Sequence, residues 1–139
     1  MFNRMNNLTS FTHSNTIVGL IFLFAASVLY ADDSNLPDPY KAGWKGKPVC
    51  EHLFEDNNKR ILRCSFPPGV GHDKHFHTAH FGYAISGGTV QITDRRGVRE
   101  IKLPTGSSFT SDGVAWHEIL NIGETTIIYL IVEHKTQQN

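Results

Sequence analysis

Four of the eight histidines in this 139-residue chain fall within nine residues, in the run His72-Asp73-Lys74-His75-Phe76-His77-Thr78-Ala79-His80. On an extended strand, side chains alternate between faces, so His75 and His77 point the same way and can hold one metal ion side by side. A third ligand has to come from another strand. His117, in Ala115-Trp116-His117-Glu118-Ile119, is the natural candidate. Imidazole donors suit zinc, copper, iron and nickel. His80 lies three residues after His77, so a straight strand puts it on the opposite face. A turn or bulge after His77 would bring it back as a fourth ligand. The plainer reading of His75 and His77 is a polar face on an ordinary strand. The density of imidazoles favours the metal, since histidine is the commonest metal ligand. His72, His52 and His134 read as solvated loop residues.

Such a site needs a scaffold that presents strands to one another. The chain carries 13 Lys and Arg against 13 Asp and Glu, a formal net charge of zero. Binding nucleic acid through bulk charge needs a basic excess, so no nucleic-acid partner is expected. With 40% hydrophobic and 19% charged residues, the composition is that of a folded domain. Residues 1–31 stand apart. A polar start with Arg4 leads into the apolar run Ile17–Leu29, then Leu29-Tyr30-Ala31 and the acidic pair Asp32-Asp33. This order reads as a secretory signal cut after Ala31, giving a periplasmic or secreted protein. A retained membrane anchor is the alternative, but a span needs about 20 apolar residues.

Residues 32–48, rich in Asp, Pro, Gly and Lys, read as an irregular lead-in with Tyr40 and Trp44 as packing anchors. The domain proper is expected over 49–139. Its strands are expected at Val49–Phe54, Arg60–Phe66, 75–86, 88–93, Val98–Leu103, Ser107–Thr110, Val114–Leu120 and Thr126–His134, with turns between them. No segment after residue 31 has a helical period, so the expectation is an all-β sandwich or barrel. If the first hairpin is centred on Asn57, Cys50 faces Cys64 at disulfide distance. An exported protein meets an oxidising compartment, which favours that bridge over two free thiols.

The histidine region resembles the cupin family, whose jelly-roll barrel holds a metal in its mouth. Gly69 is followed by five residues and then His75-Phe76-His77, and Gly88 follows at the family's spacing. In the second motif His117 is followed by three residues and Asn121, while the motif's proline is absent and Gly113 sits one place early. Ile85-Ser86-Gly87-Gly88, Asn121-Ile122-Gly123-Glu124-Thr125 and Tyr129–Lys135 look most like small single-domain cupins of the β-alanine-degradation type. One departure matters: the family's metal-binding Glu would fall at 81 or 82, where this chain has Phe81 and Gly82.

The resemblance therefore implies a three-His site, as in cupin-type dioxygenases. The ion would be divalent, with Fe(II) favoured and Zn, Ni, Mn or Cu as alternatives. The implied function is small-molecule dioxygenase-like chemistry. The alternatives are a non-enzymatic binding module and a metal-dependent isomerase or hydrolase. Phe81 and Tyr83 alternate with Ile85 and are expected to line the pocket, Tyr83 as core or as a hydrogen-bonding and catalytic candidate. Asn121 is expected to satisfy turn backbone. The long apolar strand Thr126–Val132 is expected to pair two copies as a homodimer.

Overall fold

The computed structural model describes residues 35–135. The expected signal segment 1–31, the start of the lead-in and the last residues of the domain lie outside them. Nine strands occur among the described residues: β1 (Cys50–Glu55), β2 (Lys59–Phe66), β3 (Gly71–His77), β4 (His80–Ser86), β5 (Gly88–Asp94), β6 (Gly97–Leu103), β7 (Ser108–Ser111), β8 (Val114–Asn121) and β9 (Ile127–His134). They form two antiparallel sheets, one ordered β1-β2-β9-β4-β7 and the other β3-β8-β5-β6. Leu62, Phe66, Ile127 and Ile131 from the first sheet join Val90 and Ile119 from the second in one buried core.

β9 shows how the sequence builds this. Ile127, Tyr129, Ile131 and Glu133 are buried, and the residues between them are half-buried. Period-two alternation turns one set to the core, and β-branched residues suit the pleated surface. β9 is bonded to β2 on one side and β4 on the other. Its backbone groups are therefore used within the sheet, which corrects the expectation that this strand offers an edge to a second copy.

The expected strand 75–86 is two strands. The chain leaves one sheet at His77 and enters the other at His80. Thr78 and Ala79 turn that corner: the Thr78 hydroxyl donates to the His134 carbonyl at 2.7 Å, and the His134 amide donates to the Ala79 carbonyl at 2.9 Å. Tertiary partners thus capture a stretch whose composition is uniformly strand-like. The corner resets the inward–outward alternation, with consequences for every residue of β4.

In the first hairpin, Cys50 and Cys64 are Cα partners and form a disulfide. Their pairing survives two departures that cancel. The turn is centred half a residue later than Asn57, and an irregularity between His52 and Phe54 restores the register.

The lead-in is more ordered than its composition implies. A short helix α1 (Pro39–Ala42) is capped by Asp38, whose Oδ1 accepts the Tyr40 and Lys41 amides at 2.9 and 3.1 Å. Pro39 is its buried residue, whereas Tyr40 is 45% exposed and does not anchor it. Trp44 packs where Gly71 leaves room. The lead-in then braces β3: the Asp73 amide donates to the Gly43 carbonyl and the Phe76 amide to the Pro37 carbonyl.

Candidate metal centre

β3 and β8 place the histidines. His75 and His117 are direct Cα partners across that strand pair. His77 follows two residues after His75 on the same face, and both are buried. The Nε2 atoms of His75 and His77 lie 3.0 Å apart, as do those of His75 and His117. The three rings form the group able to share one ion among the described residues.

The protonation of the rings decides what these short distances mean. His75 Nδ1 sits 2.6 Å from the Asp73 carbonyl, which can only accept. His75 therefore carries its proton on Nδ1 and a lone pair on Nε2. His77 Nδ1 sits 2.8 Å from the Glu133 carboxylate, so it too donates from Nδ1 and keeps a lone pair on Nε2. Burial first, and neighbouring rings second, push His75 down to about 3, His117 down to about 2 and His77 well below the ordinary imidazole value. The rings are thus neutral at physiological pH, and the two Nε2 lone pairs of His75 and His77 face each other without a proton between them. That contact is repulsive unless a cation accepts both. Two nitrogens at a right angle, each about 2.1 Å from an ion, are about 3.0 Å apart, so the donor set fits a divalent metal.

The other histidines divide. His80 is buried and lies with its ring 4.5 Å from that of His77. Its Nδ1 donates to the Thr78 carbonyl at 2.8 Å. The strand break at 78–79 is what turns it inward. It stands beside the trio and is not part of the converging group. His72 corrects the solvated reading: it is 1% exposed, donates from Nε2 to the Pro39 carbonyl at 2.8 Å and stacks on His75 at 3.9 Å between ring centroids. Burial pushes it down to about 4. A register shift in β3 between His72 and His75 lets His72 face inward with His75 and His77, although 72 and 75 differ in parity. His52 and His134 are exposed.

The corner at 78–79 also reverses the expectation for Phe81 and Tyr83. His80, Gly82 and Ala84 face inward, while Phe81, Tyr83 and Ile85 are 42%, 40% and 42% exposed on the outer face. Phe81 and Tyr83 are therefore not among the residues that line the cavity between the sheets. Gly82, the inward member of the 81/82 pair, is the Cα partner of Phe109. A Cβ built at 82 would run into the Phe109 ring. An apolar ring from β7 thus fills the space into which a carboxylate side chain at 82 would project.

His77 and His117 of the trio face a cavity of about 320 Å³ between the sheets. His77, His80 and His117 line one end. Val90, Ile92, Ile101, Leu103, Phe109 and Ile131 make most of the rest. Tyr129 contributes a phenol whose pKa burial pushes up, so it stays protonated. Asn121, at the end of β8, is fully buried and donates to the Phe66 and Thr125 carbonyls at 2.7 and 2.8 Å while accepting the Gly123 amide at 3.0 Å. It locks the turn that follows the His117 strand.

No family model matches the sequence, and no curated protein matches it. Solved structures match the fold. A cupin domain from Bordetella pertussis Tohama I superposes with a TM-score of 0.60 at 19% identity, covering 63% of this chain and 93% of that one. The chain has the cupin fold. An RmlC-like cupin family protein with a double-stranded β-helix fold, from Methanocaldococcus jannaschii, gives 0.53 at 19% identity over 62% of this chain and 78% of its own. A cupin superfamily protein from Desulfitobacterium hafniense DCB-2 gives 0.51 at 17% identity, over 63% and 77%. In this cupin barrel the His trio lies on the four-stranded sheet, with Glu133 of the opposite sheet behind it.

Sequence reading missed Glu133. It is 3% exposed, bonded to His77, and paired with Arg60 at 2.7 Å. A signal was present: an acidic residue at the inward parity of the otherwise apolar series Ile127, Tyr129, Ile131.

Proposed function

We propose that the protein is an exported metal-dependent cupin that acts on a small molecule, as a dioxygenase-like enzyme with Fe(II) the favoured ion. The observation that carries this reading is the pair of Nε2 lone pairs on His75 and His77, held 3.0 Å apart by Nδ1 bonds that fix both tautomers. A divalent ion bound by His75, His77 and His117 would supply a Lewis acid with open positions for substrate and dioxygen. Three neutral imidazoles leave its charge uncancelled in direct contact, which favours an anionic chelating group on the substrate. The aliphatic wall takes the substrate's apolar body and excludes water. His80, at the polar end of the cavity, is placed to hydrogen-bond the ligand through Nε2.

A second reading has an observation of its own. Among the described residues the cavity lining holds no Asp, Glu, Lys or Arg. The titratable groups of that lining are His77, His80, His117 and the Tyr129 phenol, with no carboxylate or amine for acid–base work, which weighs against a hydrolase or isomerase and leaves a non-enzymatic binding module as the competitor. Oxygen uptake measured on Fe(II)-loaded protein with a β-diketone and with a small thiol separates the two. Metal-dependent uptake supports the dioxygenase, and saturable ligand binding without uptake supports the module. The Cys50–Cys64 bridge supports export, because disulfides persist in oxidising compartments. The mass of the protein recovered from the periplasm or medium tests that part: loss of residues 1–31 is expected.

A further inference from the structure

The barrel lacks a carboxylate at 81 or 82, but it does not lack a carboxylate at the site. Glu133 Oε1 accepts the His77 Nδ1 proton at 2.8 Å. Its Oε2 is held by the Arg60 guanidinium, at 2.7 Å from one nitrogen and 3.3 Å from another. Arg60 is in turn 3.3 Å from Asp38, in the lead-in. β2 and β9 set this up, since Arg60 and Glu133 are Cα partners in the register of that strand pair. Glu133 is nearly fully buried, and a buried carboxylate persists only when its oxygens are bonded.

We infer that Glu133 is the positioning carboxylate of the metal site, supplying through His77 the negative charge that no residue supplies directly. This rests on the metal reading above. The Nδ1 bond aims His77 Nε2 at the ion and makes the imidazole a stronger donor, as carboxylates behind metal-bound histidines do. The arrangement also explains the asymmetry of the trio. His75 is oriented by a neutral backbone carbonyl, whereas His77 is oriented by a charged group. Arg60 fixes the carboxylate so that one oxygen stays on His77. Asp38 connects this set to the lead-in, whose backbone also braces β3, so both ends of the support converge on the strand that carries two of the three ligands.

The test is a metal titration of the whole protein with Co(II) and Zn(II), comparing wild type with Glu133→Gln. Glutamine keeps the size and an acceptor oxygen but removes the charge. Affinity is expected to fall about 10–100-fold, as for other outer partners of metal-bound histidines. The Co(II) absorption spectrum, where binding persists, is expected to shift. The double variant Cys50→Ser/Cys64→Ser serves as the control for lost stability, because the bridge touches no ligand, and it is expected to keep wild-type affinity. Equal affinity in wild type and Glu133→Gln would overturn the inference. So would an equal loss in the disulfide variant, which would make the effect one of general stability. Should Glu133→Gln fail to fold, nitrogen-15 spectra of the metal-free wild type decide. A His77 ring protonated on Nδ1, with a hydrogen-bonded proton shifted downfield, is expected, and protonation on Nε2 would overturn the inference. Wild type that binds neither ion would overturn the metal reading and this inference with it, an outcome distinct from wild type and Glu133→Gln binding alike.

Discussion

Two strand pairs in this barrel bring like residues face to face. In the β1–β2 hairpin Cys50 and Cys64 are Cα partners, and in the β3–β8 pair His75 and His117 are. Each pair lies beside a register irregularity, and both cysteines and His75 are buried. The cysteines satisfy each other by forming a bond. His75 and His117 can share one hydrogen, because His117 Nε2 can donate to the His75 Nε2 lone pair at 3.0 Å, but His75 and His77 cannot. His75 presents a lone pair on Nε2, His77 presents another 3.0 Å away, and no protein hydrogen lies between them. The same backbone device therefore gives a closed staple on one side and an open donor set on the other. A buried polar contact that the protein does not complete by itself calls for an explanation, and a shared divalent ion would supply one here.

The largest expected effect breaks the open pair. His75→Ala, His77→Ala and His117→Ala should each abolish stoichiometric metal retention, a greater loss than the roughly 10–100-fold typical of an outer partner. Calorimetry sees the same contrast from the other side. A metal at about 100 times its dissociation constant should stabilise the wild type by about 2.7 kcal/mol and leave the three variants unmoved.

The closed pair should respond in the opposite way. Cys50→Ser/Cys64→Ser is expected to lose about 2–3 kcal/mol of stability in denaturant unfolding, the scale for a short closed loop, with metal affinity unchanged. A large loss of affinity on breaking the staple would dissolve the distinction between the two strand pairs.

A smaller effect tests why the site has three ligands. Gly82→Ala places a methyl against the Phe109 ring and is expected to cost about 1–2 kcal/mol or to displace that ring. Adding Phe109→Ala should recover most of the cost, and strictly additive losses would show that the two positions do not share a space. The smallest effect lies on the outer side of the His pair. Lys74 Nζ sits 4.3 Å from the Trp116 ring centroid, and Lys74→Ala should cost about 0.5–1 kcal/mol while sparing the metal. Thermal unfolding and a metal titration of that one variant check both halves.

Much of this was legible in the sequence because it depends on local alternation. The strands from Cys50 to Phe66 and from Gly88 to His134 lie within a residue or two of their expected places. The parity of His75 and His77 follows from their spacing alone. The sequence signal failed where the chain turns a corner. Nothing in Thr78-Ala79 announces that β3 and β4 belong to different sheets, because the bonds that define the corner come from His134, more than fifty residues on. That one break accounts for two results together: His80 faces inward, and Phe81 and Tyr83 face outward. His72 was misplaced for a related reason, since its burial depends on a register shift in β3 and on the Pro39 carbonyl. Glu133 could be flagged by parity, but its partner could not, because the contact with His77 arises only when the two sheets close on each other.

The central claim is that the open pair is a metal site. The most direct measurement is elemental analysis of the protein purified without affinity tag or chelator, beside the three His→Ala variants. About one divalent ion per chain in the wild type, lost in all three variants, is the predicted result. A wild type that retains no ion after reconstitution with Fe(II), Zn(II) and Ni(II) would contradict it.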